Sequence, residues 1–225
     1  MSLRDAAVNK KALQEIKKNI KKKKIRIIAA TKTLSFKAIL SAHNNKILNI
    51  GESKIQETIQ KFKNKTKPKG LTTHLIGHLQ TNKTKKAVKF FDYIQSIDTL
   101  NLAQKINKEA EKTHKIQKGY LQINIGKDPH KHGFSLQEIN SACKQIQQMK
   151  NIQIKGIMTI LPQGKTETET KKLYLQTKEI QEEIRQTYFK KCINLSMGMS
   201  KDYRLAIESG ATEIRIGTKL FGKRE

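Results

Sequence analysis

Residues 25–33 read Ile-Arg-Ile-Ile-Ala-Ala-Thr-Lys-Thr, an apolar run that ends at Lys32. The run is typical of a buried β-strand, and a helical pattern begins at Ser35 after a short polar turn. A lysine held at the end of such a strand is poorly hydrated, which favours its neutral, nucleophilic amine. Lys32 is therefore a candidate for a Schiff base with a carbonyl compound or with pyridoxal phosphate, although a lone lysine in this position is more often an ordinary solvated side chain.

Seven more short apolar segments follow the first, and longer amphipathic stretches separate them. Stretches such as Thr99–Glu111 and Thr168–Thr187 carry apolar residues near every third or fourth position, which predicts helices. The predicted strands are Ile25–Ala30, Ile47–Ile50, Thr73–Ile76, Tyr93–Ser96, Tyr120–Ile125, Ile154–Ile157, Cys192–Leu195 and Glu213–Ile216.

Eight β-then-α units in one chain predict an α/β fold, a single (β/α)8 TIM barrel, with an extra N-terminal helix over about Asp5–Ile20. The main alternative is a doubly wound open sheet. That fold would place a glycine-rich phosphate loop after its first strand, and residues 29–33 contain no glycine. We expect residues 1–225 to form one barrel domain, of which residues 1–24 are the N-terminal helix and lead-in.

The chain carries a formal net charge of +27, with 46 lysines and arginines against 19 aspartates and glutamates. Such a charge attracts polyanions, because clustered basic residues neutralise phosphates. Only six of the 46 are arginines, however, and specific phosphate and base contacts rely most on arginine. The lysine excess therefore indicates the composition of an AT-rich genome, and we expect no specific nucleic-acid partner.

Cysteine usage and hydropathy indicate a cytoplasmic protein. The two cysteines, Cys143 and Cys192, lie far apart in the sequence and indicate neither a disulfide framework nor a metal pair. No apolar run approaches the length of a membrane span, and the lysine-rich N-terminus has no hydrophobic signal segment.

Residues that could take part in binding or catalysis cluster after the predicted strands, where the active sites of (β/α)8 barrels lie. They are Lys32, Gly51-Glu52-Ser53, Gly77–Lys83, Lys131-His132-Gly133, Met158-Thr159, Ser196–Ser200 and Gly217-Thr218. Each is unremarkable alone, but all of them follow the carboxyl ends of strands, and this shared position predicts a site.

The loops after the seventh and eighth strands predict a phosphate site, as in many barrels. We expect Ser200 to cap a helix over Lys201–Glu208 that Gly210 ends, which leaves free N–H groups at the helix start. Gly198 lets the backbone approach an anion, and Gly217-Thr218 adds N–H donors and a hydroxyl group. The alternative is a pair of ordinary capped turns.

Arg215 lies within the eighth predicted strand, where alternation directs it away from Ile214 and Ile216. A charged side chain that points into a barrel needs an acceptor, because an unpaired buried charge is unfavourable. That acceptor is either a bound ligand or a structural ion-pair partner.

The histidines do not predict a metal site. His74 and His78 straddle a strand end rather than sharing a helix face, and His130 and His132 flank a lysine, which disfavours a nearby cation. The sequence also lacks a G-x-S-x-G nucleophile motif, which argues against a hydrolase.

Seven motifs occur in chain order between Ile25 and Gly222. They are Thr31-Lys32-Thr33, Gly51-Glu52 with Gln56-Glu57, His74–Lys83, Lys131-His132-Gly133, Gly156–Ile160, Leu195–Ser200, and Arg215–Thr218 with Phe221-Gly222. Together they resemble the pyridoxal phosphate homeostasis protein family, which is similar to the N-terminal barrel of alanine racemase. One departure is Ser53, where that family usually has asparagine, so this position keeps a hydroxyl group but loses the reach of an amide.

The resemblance implies a bound cofactor, pyridoxal 5'-phosphate, and a set of residues that bind it. These residues are Lys32, His78, Asn82, Met199, Ser200, Arg215, Gly217 and Thr218. By resemblance, Lys32 forms the Schiff base, Ser200, Gly217 and Thr218 hold the phosphate, and Arg215 faces the pyridine nitrogen. No residue is assigned to catalysis or to a metal.

The resemblance further implies a role in intracellular pyridoxal phosphate homeostasis, as a carrier that buffers or delivers the cofactor rather than an enzyme with a defined turnover. We expect a monomer whose partners are the cofactor and the apo-enzymes that depend on it. One alternative is an enzyme like an amino-acid racemase. Alanine racemase takes a second base from its second domain and partner subunit, however, whereas this sequence ends soon after the barrel motifs. The other alternative is a polyanion-binding or nucleic-acid-binding protein.

Overall fold

Eight parallel strands close into a ring in this computed structural model, which describes residues 3–20 and 23–223. Each strand pairs with the next along the chain, and β1 pairs with β8 to close the barrel. The strands are β1 (Arg26–Ala30), β2 (Asn49–Glu52), β3 (Thr72–Leu75), β4 (Tyr93–Ile97), β5 (Gln117–Ile123), β6 (Ile152–Thr159), β7 (Asn194–Ser196) and β8 (Glu213–Ile216). The closed order confirms the predicted (β/α)8 barrel and excludes the doubly wound sheet, which is open at its edges.

Helices separate the strands along the chain. They are α1 (Lys10–Ile20), α2 (Phe36–Asn44), α3 (Ile55–Phe62), α4 (Thr84–Phe90), α5 (Leu100–Lys112), α6 (Ile139–Ile146), α7 (Glu167–Thr187), α8 (Tyr203–Glu208) and α9 (Thr218–Phe221), with a 3₁₀ helix at Thr81–Lys83. Several begin at side-chain caps: Ser35 accepts a hydrogen bond from the N–H of Lys37, and Thr99 accepts one from that of Leu102. None of the helices in these two described ranges has both the length and the apolarity to cross a lipid bilayer.

The predicted helix bounds hold well for α5 and α7 but not for α1. The N-terminal helix begins at Lys10 rather than Asp5, because the preceding residues lie along the loop after β1 instead. Arg4 forms a parallel bridge with Leu34, and the side chain of Asn9 accepts a hydrogen bond from the N–H of Ala12, which caps the helix. Residues 1, 2, 21 and 22 of the predicted lead-in lie outside the described residues.

All eight predicted strands are present, and β8 has the predicted bounds. The second strand begins two residues later than predicted, at Asn49. Ile47 belongs instead to the turn that ends α2, because its N–H donates to the carbonyl oxygen of Ala42. An apolar residue thus packs against the core at a helix end, where its local pattern cannot be distinguished from that of a strand.

A polar network crosses the interior of the barrel below the site. Gln95 of β4 donates to Glu213 Oε2 of β8 at 2.9 Å and to His74 Nδ1 of β3 at 3.0 Å, and Tyr120 donates to Glu213 Oε1 at 2.6 Å. Burial raises the pKa of Glu213 and lowers the pKa of His74 to about 3, so His74 is neutral. Because its Nδ1 accepts a hydrogen bond, its Nε2 carries the proton and donates to Asn49 Oδ1 at 3.0 Å.

Candidate functional site

Two cavities open at the carboxyl end of the barrel, on either side of Lys32. Lys32, Ser53, Ile76 and Ile160 line both. The first, which we term the β7–β8 cavity, has a volume of about 550 Å³ and reaches the loops after the last two strands. The second, the β3–β5 cavity, has a volume of about 670 Å³ and reaches the loops after β3 and β5. Both volumes fall within the range of small-molecule sites, about 300–1,000 Å³.

The β7–β8 cavity brings together most of the residues that the sequence predicts for the site. Its lining includes Lys32, Met199, Ser200, Arg215, Gly217 and Thr218. His78 lines the β3–β5 cavity instead. Asn82 lies exposed in the 3₁₀ helix and is absent from the lining of both cavities, so its contact with a ligand stays a prediction.

The backbone on both sides of Lys32 is fixed by a buried ionic cluster that the sequence analysis did not identify. Lys61 Nζ donates to the carbonyl oxygen of Thr31 at 2.7 Å and forms ion pairs with Glu52 and Glu57, each at 2.8 Å. Glu52 also accepts from the hydroxyl of Thr31 at 2.6 Å, and Glu57 accepts from the N–H of Thr33 at 2.5 Å. Thr33 adopts a positive φ of 64°, so this cluster holds the turn in a conformation that threonine rarely adopts.

The loop after β7 differs from the prediction at Ser200. Ser200 does not cap α8, which begins at Tyr203 with Asp202 before it. Asp202 accepts from the N–H of Met199 at 2.6 Å, and this charge-assisted bond closes the turn that leads into α8. The Ser200 hydroxyl instead accepts from the N–H groups of Gly217, at 3.3 Å, and Lys219, at 3.2 Å. Ser200 therefore joins the two loops of the predicted phosphate site.

The same loop offers backbone donors to an anion. Gly198 has a φ of 88°, and a Cβ atom there would lie 2.5 Å from the Cβ of Ala206, so only glycine allows the loop to pack this closely on α8. Among the described residues, the N–H groups of Ser200 and Thr218 have no hydrogen-bond acceptor. Two N–H groups and two hydroxyls thus converge on one end of the β7–β8 cavity.

Arg215 is buried in the barrel, yet it lines the β7–β8 cavity. Its guanidinium donates to the carbonyl oxygen of Ser196 at 2.7 Å, to the Ser196 hydroxyl at 2.9 Å and to the carbonyl oxygen of Thr159 at 2.7 Å. No ion pair among the described residues includes it. Burial lowers the pKa of Arg215, but a guanidinium stays protonated in proteins. The interior arrangement therefore leaves a cation, without a carboxylate partner, at the floor of the cavity.

Ser196 connects Arg215 to the interior network. Its hydroxyl donates to Gln95 Oε1 at 2.7 Å, and Gln95 donates in turn to the Glu213 carboxylate. Neither Ser196 nor Gln95 was assigned a contact from the sequence. The signal that could have identified them is a polar residue at an inward position of an otherwise apolar strand.

A second cluster of ionisable groups lies in the β3–β5 cavity. His78 Nδ1 lies 2.8 Å from Asp98 Oδ2, and the His78 and His132 rings stack with centroids 3.6 Å apart. From the sequence, His74 with His78 and His130 with His132 were considered as metal pairs and rejected, whereas the fold brings His78 together with His132. Asp98 was not predicted, and its signal was an acidic residue directly after an apolar strand.

Comparison with known sequences gives consistent matches over nearly the whole chain. The profile of the family described as "Alanine racemase, N-terminal domain" matches residues 7–225. A pyridoxal phosphate homeostasis protein from Synechocystis sp. is 38% identical over 200 residues, which cover 89% of this chain and 92% of the relative. A protein of the same name from Aquifex aeolicus is 33% identical over 89% of this chain and 87% of its own length.

Comparison with solved structures agrees. The chain is similar to PipY of Synechococcus elongatus solved without pyridoxal phosphate, with a TM-score of 0.89 and 36% identity over 94% of this chain and 99% of PipY. The structure of PipY with pyridoxal phosphate bound gives a TM-score of 0.88 at 34% identity, with the same coverage. Alanine racemase from Clostridium difficile, at 16% identity and a TM-score of 0.81, shares the fold. The chain therefore belongs to the alanine racemase N-terminal domain family and, within it, to the pyridoxal phosphate homeostasis proteins.

Proposed function

We propose that this protein binds pyridoxal 5'-phosphate in the β7–β8 cavity through Lys32 and serves intracellular homeostasis of that cofactor. The main observation behind the proposal is that one cavity is lined by a lysine, a buried arginine and several residues that can donate hydrogen bonds to an anion. The pyridoxal phosphate homeostasis proteins that it resembles, and PipY with pyridoxal phosphate bound, support the same ligand.

The residues present fit each part of this ligand. The N–H groups and hydroxyls of Ser200 and Thr218 suit a phosphate, because they are donors without a competing carboxylate among the side chains that bond to them. Lys32 supplies an amine at the junction of both cavities. Arg215 supplies a fixed N–H donor to an aromatic nitrogen acceptor.

The interior contacts of Arg215 favour a carrier over an amino-acid enzyme. When bound, pyridoxal phosphate supplies an aldehyde carbon and an electron-accepting ring. Arg215 donates a hydrogen bond but cannot give up its proton, so it does not protonate the ring nitrogen. Its donors to Ser196 and Thr159 keep the guanidinium in this role. The residues that we assign thus bind and orient the ligand but do not strengthen its acceptance of electrons.

The proposal also covers the compartment, the oligomeric state and the partners of the protein. We propose that it is a cytoplasmic monomer that exchanges the cofactor with apo-enzymes. The two cysteines support a reducing compartment, because both are buried free thiols, and burial raises the pKa of each to about 12.

Borohydride trapping tests the proposal. Incubation with pyridoxal phosphate should give visible absorption, and borohydride reduction should fix one cofactor on the peptide that contains Lys32. Lys32→Ala should lose both signals, whereas Lys54→Ala, which removes a lysine from the lining of the β3–β5 cavity, should keep them. A Lys32→Ala protein that keeps the same absorption and adduct would show that another lysine binds the cofactor.

A further inference from the structure

Three side chains with metal-ligand chemistry converge in the β3–β5 cavity, each from the end of a different strand. His78 follows β3, Asp98 follows β4 and His132 lies in the loop after β5. His78 Nδ1 lies 2.8 Å and His132 Nδ1 lies 3.9 Å from Asp98 Oδ2, and all the potential ligand atoms lie within 4.8 Å of one another. We propose that these three residues bind a divalent transition-metal ion.

The separations suit a tetrahedral site after small adjustments. Metal–ligand bonds of about 2.0–2.1 Å place the ligand atoms of such a site about 3.3 Å apart, and the two observed separations of 2.8 and 3.9 Å bracket that value. The two imidazole rings now stack at an interplanar angle of 11°, so they must rotate apart to direct both Nδ1 atoms at one ion. Side-chain exposures of 41% for His78 and 57% for His132 leave room for that rotation.

Asp98 anchors the cluster and provides the electrostatic reason for a cation. Its side chain is 4% exposed, and among the described residues its hydrogen bond and its ion-pair contacts are to these two imidazoles. A buried carboxylate is stabilised by a positive partner, because burial removes its hydration. A bound ion would supply that charge at the position where both rings already face the carboxylate.

The lysine next to His132 does not occupy this position. The Lys131 ammonium donates to the carbonyl oxygen of Leu161 and lies 3.7 Å from the Asp128 carboxylate. Its ion-pair partner is therefore Asp128 and not Asp98. The ligand set of two imidazoles and one carboxylate favours Zn²⁺, Co²⁺ or Ni²⁺ over Mg²⁺ or Ca²⁺, which prefer oxygen ligands. Three protein ligands leave a further coordination position for water, as in metal sites that are open to a cavity.

Equilibrium dialysis against Zn²⁺ and visible spectroscopy with Co²⁺ test the site. The full chain should bind one equivalent of Zn²⁺, and one equivalent of Co²⁺ should develop the ligand-field absorption of a nitrogen- and oxygen-bound ion. Both measurements are made with and without pyridoxal phosphate and on Lys32→Ala. The result is therefore independent of the proposed cofactor function.

Variants assign the ion to the cluster. His132→Asn removes an exposed ligand and should weaken Zn²⁺ binding by at least about tenfold, as should Asp98→Asn. His130→Asn is the matched control, because His130 lines the same cavity outside the cluster, and it should bind like the unchanged protein. Asp98 is buried, so the folding of its variant is checked by circular dichroism, and His132→Asn decides the outcome if that variant unfolds. Absence of a stoichiometric ion, equal binding by His132→Asn, or equal losses in His130→Asn and His132→Asn would each overturn the proposal.

Discussion

Ser200 illustrates how a residue can lie in the expected place with different bonds from those expected. The sequence assigns it to the start of α8, but Asp202 takes that position, and Ser200 bonds across to Gly217 and Lys219. Those acceptor contacts are long, at 3.2 to 3.3 Å, and the hydroxyl hydrogen can still be donated to an anion. Ser200 is therefore bonded to the residues on both sides of Thr218, as a shared phosphate site requires.

Removing either hydroxyl should weaken binding of pyridoxal phosphate. We expect Ser200→Ala and Thr218→Ala each to lose about 1–3 kcal/mol of binding free energy, because in the proposed site each hydroxyl would donate a charge-assisted hydrogen bond to the phosphate. Equilibrium dialysis of pyridoxal phosphate and of pyridoxal measures the effect. Thr81→Ala is a control at the same end of the barrel that lines neither cavity. The phosphate assignment fails if the unchanged protein binds pyridoxal as tightly as pyridoxal phosphate.

Arg215 should control the absorption spectrum of the bound cofactor. Arg215→Glu places a carboxyl group, which can share a proton with the ring nitrogen, where a guanidinium stood, so the spectrum should shift while Lys32 still traps the cofactor with borohydride. The same change removes the donors to Ser196 and Thr159, which should lower the stability of the cofactor-free protein by about 1–3 kcal/mol. Severe loss of stability with an unchanged spectrum would show that Arg215 supports the barrel alone.

At the scale of single elements, β2 and α3 together position the turn after β1. Glu52 ends β2, Lys61 lies on α3, and both bond to Thr31 at the start of the turn that carries Lys32. Burial raises the pKa of Glu52 although Lys61 opposes the shift. The pair is therefore a weak source of stability as a whole, whereas loss of one partner leaves a buried charge.

Lys61→Met should destabilise the protein by about 3–5 kcal/mol, because it leaves the Glu52 carboxylate buried without a cation. Adding Glu52→Gln to the same variant should restore much of that loss, since the uncompensated charge is then absent. Urea unfolding at neutral pH measures both. Lys37→Met is the control: it breaks an exposed ion pair with Asp5, which solvent screens, and should cost far less than Lys61→Met. A Lys61→Met protein as stable as this control would show that the cluster does not hold the turn.

At the scale of the whole molecule, the closed barrel buries polar and ionisable groups that an open sheet would leave near an edge. His74, Gln95 and Glu213 come from β3, β4 and β8, and closure lets Gln95 bond to both His74 and Glu213. His74 is held neutral there, with a pKa of about 3 against an ordinary value of about 6.5. The unfolded chain takes up a proton on this residue at mildly acidic pH, and the folded chain does not.

This difference predicts acid sensitivity. The depressed pKa of folded His74 has no effect on stability well above pH 6.5, but it destabilises the folded chain increasingly as the pH falls from 6.5 toward 3, and the loss by pH 5 should be about 2 kcal/mol. The measurement is the free energy of unfolding in urea at pH 7 and at pH 5. His74→Gln should reduce the difference between the two values, while His130→Gln, at an exposed position, should not. Equal pH dependence in His74→Gln and the unchanged protein would contradict the role of His74.

The sequence by itself determined the order of elements and the end of the barrel at which the candidate site lies. Apolar periodicity reports which face of each segment is buried, so eight strands and the helices between them could be predicted, with errors at boundaries such as Asn49 and Lys10. Lys32 could be placed at the end of β1 for the same reason. These features depend on residues that are close together in the chain.

Only the tertiary structure decided which side chains meet. Gln95 reaches Glu213 because β4 and β8 face each other across a closed ring. The residues next to Gln95 in the sequence do not predict that contact. His78 and His132 both contact Asp98 because three strand ends converge, and the spacing of the histidines in the sequence does not predict this cluster. The alternation of side chains predicts their direction within a strand, but it predicts nothing for residues beyond the end of the strand. The contacts of the loops beyond are set by packing between distant segments.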